Sequence, residues 1–231
     1  MKKILAFTLA ETLIVMGIIG IVSALTLPNL NSSTGEKEKV AKVKKMYQNL
    51  NDVYGRATAV YGPIEEWFTA ADNTDALKSK RIGERMSEFI KVSKTCALAV
   101  NQGCFSKGNV LDVDGTSNYG ASADTFADIY KIITADGTSV GFYYYQPTWY
   151  YILIDIDGPN KGKSQFALDR FAFSIADFTN YELIPSGLNY SSMSGKFDDT
   201  YDHYAWVFYN ENMDYLKCTD KLHWQNQTSC K

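Results

Sequence analysis

The densest group of ligand-type side chains is Asp155, Asp157, Asn160 and Asp169, spaced around a Gly-Pro-Asn-Lys-Gly turn. Hard oxygen donors on a short turn suit Ca2+, with Asp169 returning from beyond the turn to complete a cage. The same residues suit a plain turn, because Asp and Asn side chains bond the backbone two residues on. Asp112, Asp114 and Asn118 form a second, poorer set. There Gly115 stands at the fourth loop position, whereas the helix–loop–helix calcium template needs glycine at the sixth. The two histidines, His203 and His223, have no Ser or Cys nearby in a nucleophile motif. The sequence contains neither a phosphate loop nor a dinucleotide fingerprint. These residues point away from an enzyme.

One carboxylate stands apart. Glu11 lies near the front of the apolar run over residues 7–28, which Lys2 and Lys3 precede. From Phe7 to Leu27 the run is about 21 residues, long enough to span a bilayer. An ionised group in such a segment costs roughly 2.5–3.5 kcal/mol on insertion scales. A segment that only anchors has no use for it, so Glu11 is expected to have a partner and a task. The plainer alternative is that Glu11 reaches towards lipid headgroups.

Ala6-Phe7-Thr8-Leu9-Ala10-Glu11 followed by an apolar helix resembles the type IV prepilin signal. Type IV pilins and the pseudopilins of type II secretion systems share that signal. The resemblance implies a cut between Ala6 and Phe7 by a prepilin peptidase on the cytoplasmic side, with methylation of the new Phe7 amine. Glu11 then becomes the fifth residue of the processed chain, and Pro28 matches a helix-bending proline of the family. Ala6 departs from the family's usual glycine but keeps its small size. The resemblance covers roughly the first 30 residues and assigns to Glu11 the pairing with the Phe7 amine of a neighbouring subunit. A secretory signal peptide cut after Val22-Ser23-Ala24 is the competing reading, although its apolar core is normally about 7–15 residues and carries no acid. A plain membrane anchor is the third.

The chain of 231 residues has a net charge of −3 and 21% charged residues, which suits one ordinary globular domain plus an anchor. So balanced a charge gives no case for nucleic acid as a partner. Lysines ahead of the span place the N-terminus in the cytoplasm and the globular part outside the inner membrane. An even cysteine count in an exported domain favours disulfides. Four cysteines allow three connectivities, and local pairing of Cys96 with Cys104 and Cys218 with Cys230 is favoured. Zinc is the weaker alternative, because the spacings do not fit.

These residues need elements to hold them. Val40, Val43, Tyr47, Leu50, Tyr54, Ala57 and Tyr61 recur at spacings of three and four, the stripe of an amphipathic helix. Gly62-Pro63 stops it. A helix continuous from Phe7 to Tyr61 would run roughly 80 Å at 1.5 Å per residue. Pro28 can kink it, and Gly17 and Gly20 let other helices approach. The charges from Glu36 to Lys45 read as a solvated face. Two short helical pieces are predicted at Ile64–Ala71 and Arg81–Lys94, then a loop from Gly103 to Gly120. Strands are predicted at Ile129–Thr134 and Val140–Tyr145, joined at Asp136-Gly137, then at Tyr150–Ile156, Arg170–Ile175, Tyr181–Ile184 and Tyr204–Tyr209. Aromatics at Tyr201, Tyr204, Trp206, Tyr209, Tyr215 and Trp224 suit core packing or a contact surface.

A helix followed by an antiparallel sheet is an α+β arrangement. It matches the pilin-like fold that the resemblance implies, a helical spine packed on a sheet. The expected organisation is a leader at 1–6, a membrane or filament-core helix at 7–28, its amphipathic continuation at 29–62 and an exported globular domain at 63–231. The expected role is a structural subunit of a type II secretion pseudopilus. The alternatives are a minor type IV pilin and a membrane-anchored binding protein that does not polymerise. The partners implied are the prepilin peptidase, other pilin-like subunits and the inner-membrane assembly machinery. No cofactor is required, with Ca2+ the one candidate.

Overall fold

The computed structural model describes residues 9–231 apart from 117, 148, 177–179, 187–196 and 198–201; the side chains of 23–34, 119 and 146 are also outside the description. The chain divides into two compact units, Met1–Glu38 and Lys39–Lys231. The division falls inside the first helix, α1, which runs Leu9–Tyr61. The amphipathic stretch from Lys39 to Tyr61 therefore belongs with the globular unit. It ends where glycine allows: Gly62 has φ +78° and donates its N–H to Thr58 O at 2.9 Å, and Pro63 follows.

The stripe on α1 is the reason this half folds onto the rest. Val40, Val43, Leu50, Tyr54 and Ala57 are buried, and Met46 and Val53 join them. A second helix, α2 (Asp75–Ser87), begins at Thr74, whose hydroxyl accepts from Leu77 N at 3.2 Å. Asp72 lies ahead of it, accepting from Thr69 N at 2.9 Å and from Arg81 Nε at 3.2 Å. Burial pushes the Asp72 carboxyl up, but Thr69 and Arg81 together hold it below the ordinary value.

Among the described residues eight strands follow: β1 Val92–Ala97, β2 Asn109–Leu111, β3 Asn118–Ala121, β4 Ile129–Thr134, β5 Ser139–Gln146, β6 Trp149–Asp155, β7 Arg170–Ala176 and β8 Leu183–Pro185. Six form an antiparallel sheet in the order β1-β4-β5-β6-β7-β8, and β2 pairs with β3 separately. Register puts Phe142 opposite Ile152 and Ile152 opposite Phe173. Alternation then sends Val140, Phe142, Ile152, Ile154, Phe171 and Phe173 into one core with the α1 stripe and with Ile82 and Met86 of α2. Each such side chain contributes about 1.5–3 kcal/mol when fully buried. On the opposite face a smaller cluster of Cys96, Cys104, Phe105, Ala123 and Ile129 covers the sheet beside Gly141. The chain closes with α3 (His203–Asn210) and α4 (Tyr215–Cys218). The molecule is thus an α+β fold with helices against a six-stranded antiparallel sheet.

Several expectations are corrected. Tyr204–Tyr209 is not a strand but most of α3, where Trp206 N donates to Asp202 O at 2.8 Å and Glu211 N to Val207 O at 3.2 Å, the i to i−4 bonds of a helix. The helix expected at Arg81–Lys94 spans Asp75–Ser87 instead, and Val92 onward forms edge strand β1. The Ile64–Ala71 piece shrinks to one 3-10 turn at Ile64–Trp67. Within the loop expected from Gly103 to Gly120 lie β2 and most of β3. Both local disulfides form, Cys96–Cys104 and Cys218–Cys230.

Candidate functional site

Two regions carry the residues singled out by the sequence. The first is the start of α1. Glu11 lies in its first described turn, and Thr12 Oγ1 donates to Leu9 O at 3.0 Å. Leu9, Leu13, Ile14, Val15, Met16, Ile18, Ile19, Ile21 and Val22 are all exposed, by between 51% and 80%. At 100° per residue these positions point in every direction around the helix, so this stretch has no polar face. Gly17 and Gly20 have no atom within 4 Å of an added Cβ. Among the described residues no helix is long and apolar enough to cross a membrane. Ala6 and Phe7 lie outside the described residues, and of Pro28 only its place within α1 is described.

The second region is the turn between β6 and β7. Asp155 closes β6 and is fully buried. Its Oδ1 accepts from Asp157 N at 3.2 Å and Gly158 N at 3.0 Å, while Oδ2 lies 2.9 Å from Arg170 Nε. Burial pushes the Asp155 carboxyl up to about 7, against the pull of Arg170, and the nearby Asp169 and Asp157 charges add to the rise. Burial likewise lowers the Arg170 guanidinium, although Asp155 pulls it back up. Asp169, also fully buried, accepts from three successive amides: Lys163 N at 2.7 Å, Ser164 N at 3.1 Å and Gln165 N at 2.6 Å. That grip holds a backbone in which Gly158, Gly162, Ser164 and Ala167 all have positive φ. Asp157 turns the other way, to α1, where its Oδ2 accepts from Lys39 Nζ and its Oδ1 from Lys42 Nζ at 3.4 Å. Burial would raise Asp157, yet the two lysines outweigh it and hold the carboxyl below the ordinary value. Asn160 is exposed on the turn.

This arrangement differs from a cation cage. Ca2+ takes 6–8 oxygen ligands converging on one point. Here the oxygens of Asp155 and Asp169 face backbone N–H groups and a guanidinium, and those of Asp157 face ammonium groups. Among the described residues no group of three or more His, Cys, Asp or Glu side chains could hold a metal ion. The residues as placed do not fit the ion. The second set is a turn too: Asp112 Oδ1 accepts from Val113 N at 2.7 Å and Asp114 Oδ1 from Thr116 N at 2.8 Å.

Sequence reasoning missed the cations. Arg170 reaches from β7 to Ser106 Oγ at 2.6 Å and Ser164 Oγ at 2.9 Å and lies over the Phe105 ring. It thereby joins the β6–β7 turn to the segment after the first disulfide. Lys39 and Lys42 belong to the run read as a solvated face, and Lys44 of that run pairs with Glu211. No local pattern could have found these partners, since 118 residues separate Lys39 from Asp157. Asp124 was missed as well; it gathers Gly103 N, Cys104 N and Phe105 N and so pins the first disulfide loop.

The aromatic C-terminus is mostly core. Trp206 and Tyr215 are buried, Trp224 Nε1 donates to Asp202 Oδ2 at 2.8 Å, and Tyr215 Oη donates to Ala167 O at 2.6 Å. His203 is buried among the rings of Phe166, Phe197 and Tyr215, and His223 is half-buried. Tyr209 is exposed, and Tyr201 lies outside the described residues. Comparison of the chain with protein-family models, with curated proteins and with solved structures returns no match.

Proposed function

We propose that the chain is a pilin-like filament subunit, and specifically a pseudopilin of a type II secretion system. The observation that carries this is the start of α1, a helix apolar on every side and exposed at every described side chain, with one carboxylate in its first described turn. Such a surface is stable only inside lipid or against other helices. From Val40 onward the same helix is one-sided and packs on its own sheet. One half thus serves the subunit's fold, and the other awaits cover from outside the chain.

In this proposal a prepilin peptidase cuts between Ala6 and Phe7, and the span holds the subunit in the inner membrane until the assembly machinery extracts it. The new Phe7 amine of one copy then pairs with Glu11 of its neighbour. Removing one member of a buried ion pair costs about 3–5 kcal/mol, because the other is left uncompensated. The globular part faces the periplasm, and the protein's work is assembly and displacement rather than chemistry.

The test is assembly in cells. Glu11→Ala is expected to reduce filament formation and subunit-to-subunit crosslinking by an order of magnitude or more, while the chain stays in the membrane. Normal filaments from that variant would overturn the pairing. A purified chain beginning at Leu25 would overturn the prepilin reading altogether. Loss of exoprotein secretion on deletion, with motility intact, is the outcome expected of a pseudopilin. Loss of surface filaments with secretion intact would make it a type IV pilin, and absence of any Glu11-dependent crosslink would leave an anchored monomer.

A further inference from the structure

The β6–β7 turn concentrates three carboxylates in a small volume. A Cβ added to Gly162 would lie 2.4 Å from Asp169 Oδ2 and 3.1 Å from Asp157 Oδ2, so both oxygens crowd one glycine. Asp155 is close enough to feel both charges. Such a cluster needs compensating positive charge to stay folded. In many proteins a bound divalent ion supplies it. Here three cations of the chain itself are in place: Arg170 on Asp155, and Lys39 with Lys42 on Asp157.

We infer that Lys39 and Lys42 are the built-in counter-cations of this turn and form an electrostatic latch that fixes the point where α1 enters the globular unit. The compact unit begins at Lys39, one of the latched residues. Beyond it Lys44 pairs with Glu211, and Tyr47 Oη, five residues past Lys42, donates to Leu183 O at 2.9 Å. Val40, Val43 and Met46 stay packed in the core when the latch opens, so what it releases is the solvent-facing side of these turns of α1 and the β6–β7 turn itself. The turn would lose order at the same time, because the Asp157 charge would be left without its ammonium partners in the same turn as the Asp155 and Asp169 carboxylates. The turn's order therefore depends on α1 and on ionic strength, and not on divalent ions. The latch lies within the second unit, so a failure of the Glu11 experiment leaves it standing.

Hydrogen exchange on the full chain in detergent micelles tests it, read at peptides covering 36–46 and 157–169. Lys39→Met with Lys42→Met is expected to speed exchange in both segments about fivefold at low salt, with β5, β6 and β7 unchanged. Lys39→Arg with Lys42→Arg keeps the charges and is expected to exchange like the parent. Molar NaCl should loosen the parent towards the Met variant. Millimolar CaCl2 or a chelator should leave the parent's exchange and melting temperature unmoved. A Met variant that exchanges like the parent overturns the latch. So does an Arg variant as loose as the Met variant, or a loss of protection spread evenly over the strands. A parent that loosens in chelator would show that the turn relies on a metal after all.

Discussion

At the scale of single residues, buried carboxylates here act on the backbone. Asp169 is the clearest case, holding three consecutive amides of a turn whose Ser164 and Ala167 sit in the left-handed region. Removing it leaves amide groups with no acceptor, two of them on the buried residues Ser164 and Gln165. Leaving one buried donor unsatisfied costs about 1–3 kcal/mol. Asp169→Ala is therefore expected to lower unfolding free energy by about 3 kcal/mol in urea titrations. A loss below about 0.5 kcal/mol, the level of an ordinary surface change, would contradict this role. The sequence shows that Asp155, Asp157 and Asp169 belong to one turn. It does not show what their oxygens face, because Arg170 is local to them while Lys39 and Lys42 are far away along the chain.

At the scale of elements, glycine separates helix propensity from packing. Gly83 lies on the buried side of α2, and a Cβ there would fall 2.0 Å from Tyr130 Cδ1. Gly55 lies on an exposed side of α1 with nothing within 4 Å. In a helix interior, alanine is favoured over glycine by about 1 kcal/mol in both places. Gly55→Ala should therefore stabilise the protein by about 0.5–1 kcal/mol. Gly83→Ala should destabilise it by about 2 kcal/mol net, since overpacking against a core ring outweighs propensity. Opposite signs in the two denaturation curves are the expected result, and equal signs would show that α2 can shift away from β4. The α1 stripe was legible from its spacing of three and four and the glycine that ends it, and the β4–β5 hairpin from the Asp136-Gly137 turn between two β-rich runs. Strand β1 and helix α3 were not, because edge exposure hides alternation in the one and five successive buried residues, His203 to Val207, hide periodicity in the other.

At the scale of the molecule, the two units differ in what they bury. Unit 2 owns the core, the sheet and both disulfides, whereas the described side chains of α1 from Leu9 to Val22 have none of that cover. A chain beginning at Gly35 is thus expected to keep the fold and remain monomeric without detergent, while the full chain requires detergent or a membrane. Sedimentation and far-ultraviolet circular dichroism check both parts. A truncated chain that unfolds would mean that the apolar start supports the globular unit.

The sequence by itself determined the apolar run with Glu11, the amphipathic half of α1 and an α+β order of elements, and it favoured the local pairing of cysteines that the structure forms. These depend on short-range periodicity and spacing, which a linear chain displays. Only the tertiary structure decided what neutralises Asp157, what Arg170 joins, and that the C-terminal aromatics form a helix-borne core. Those outcomes depend on which distant segments come within a few ångströms of each other. Burial and charge pairing at that range are properties of the packed chain: Lys39 lies 118 residues from Asp157, and Arg170 lies 64 from Ser106.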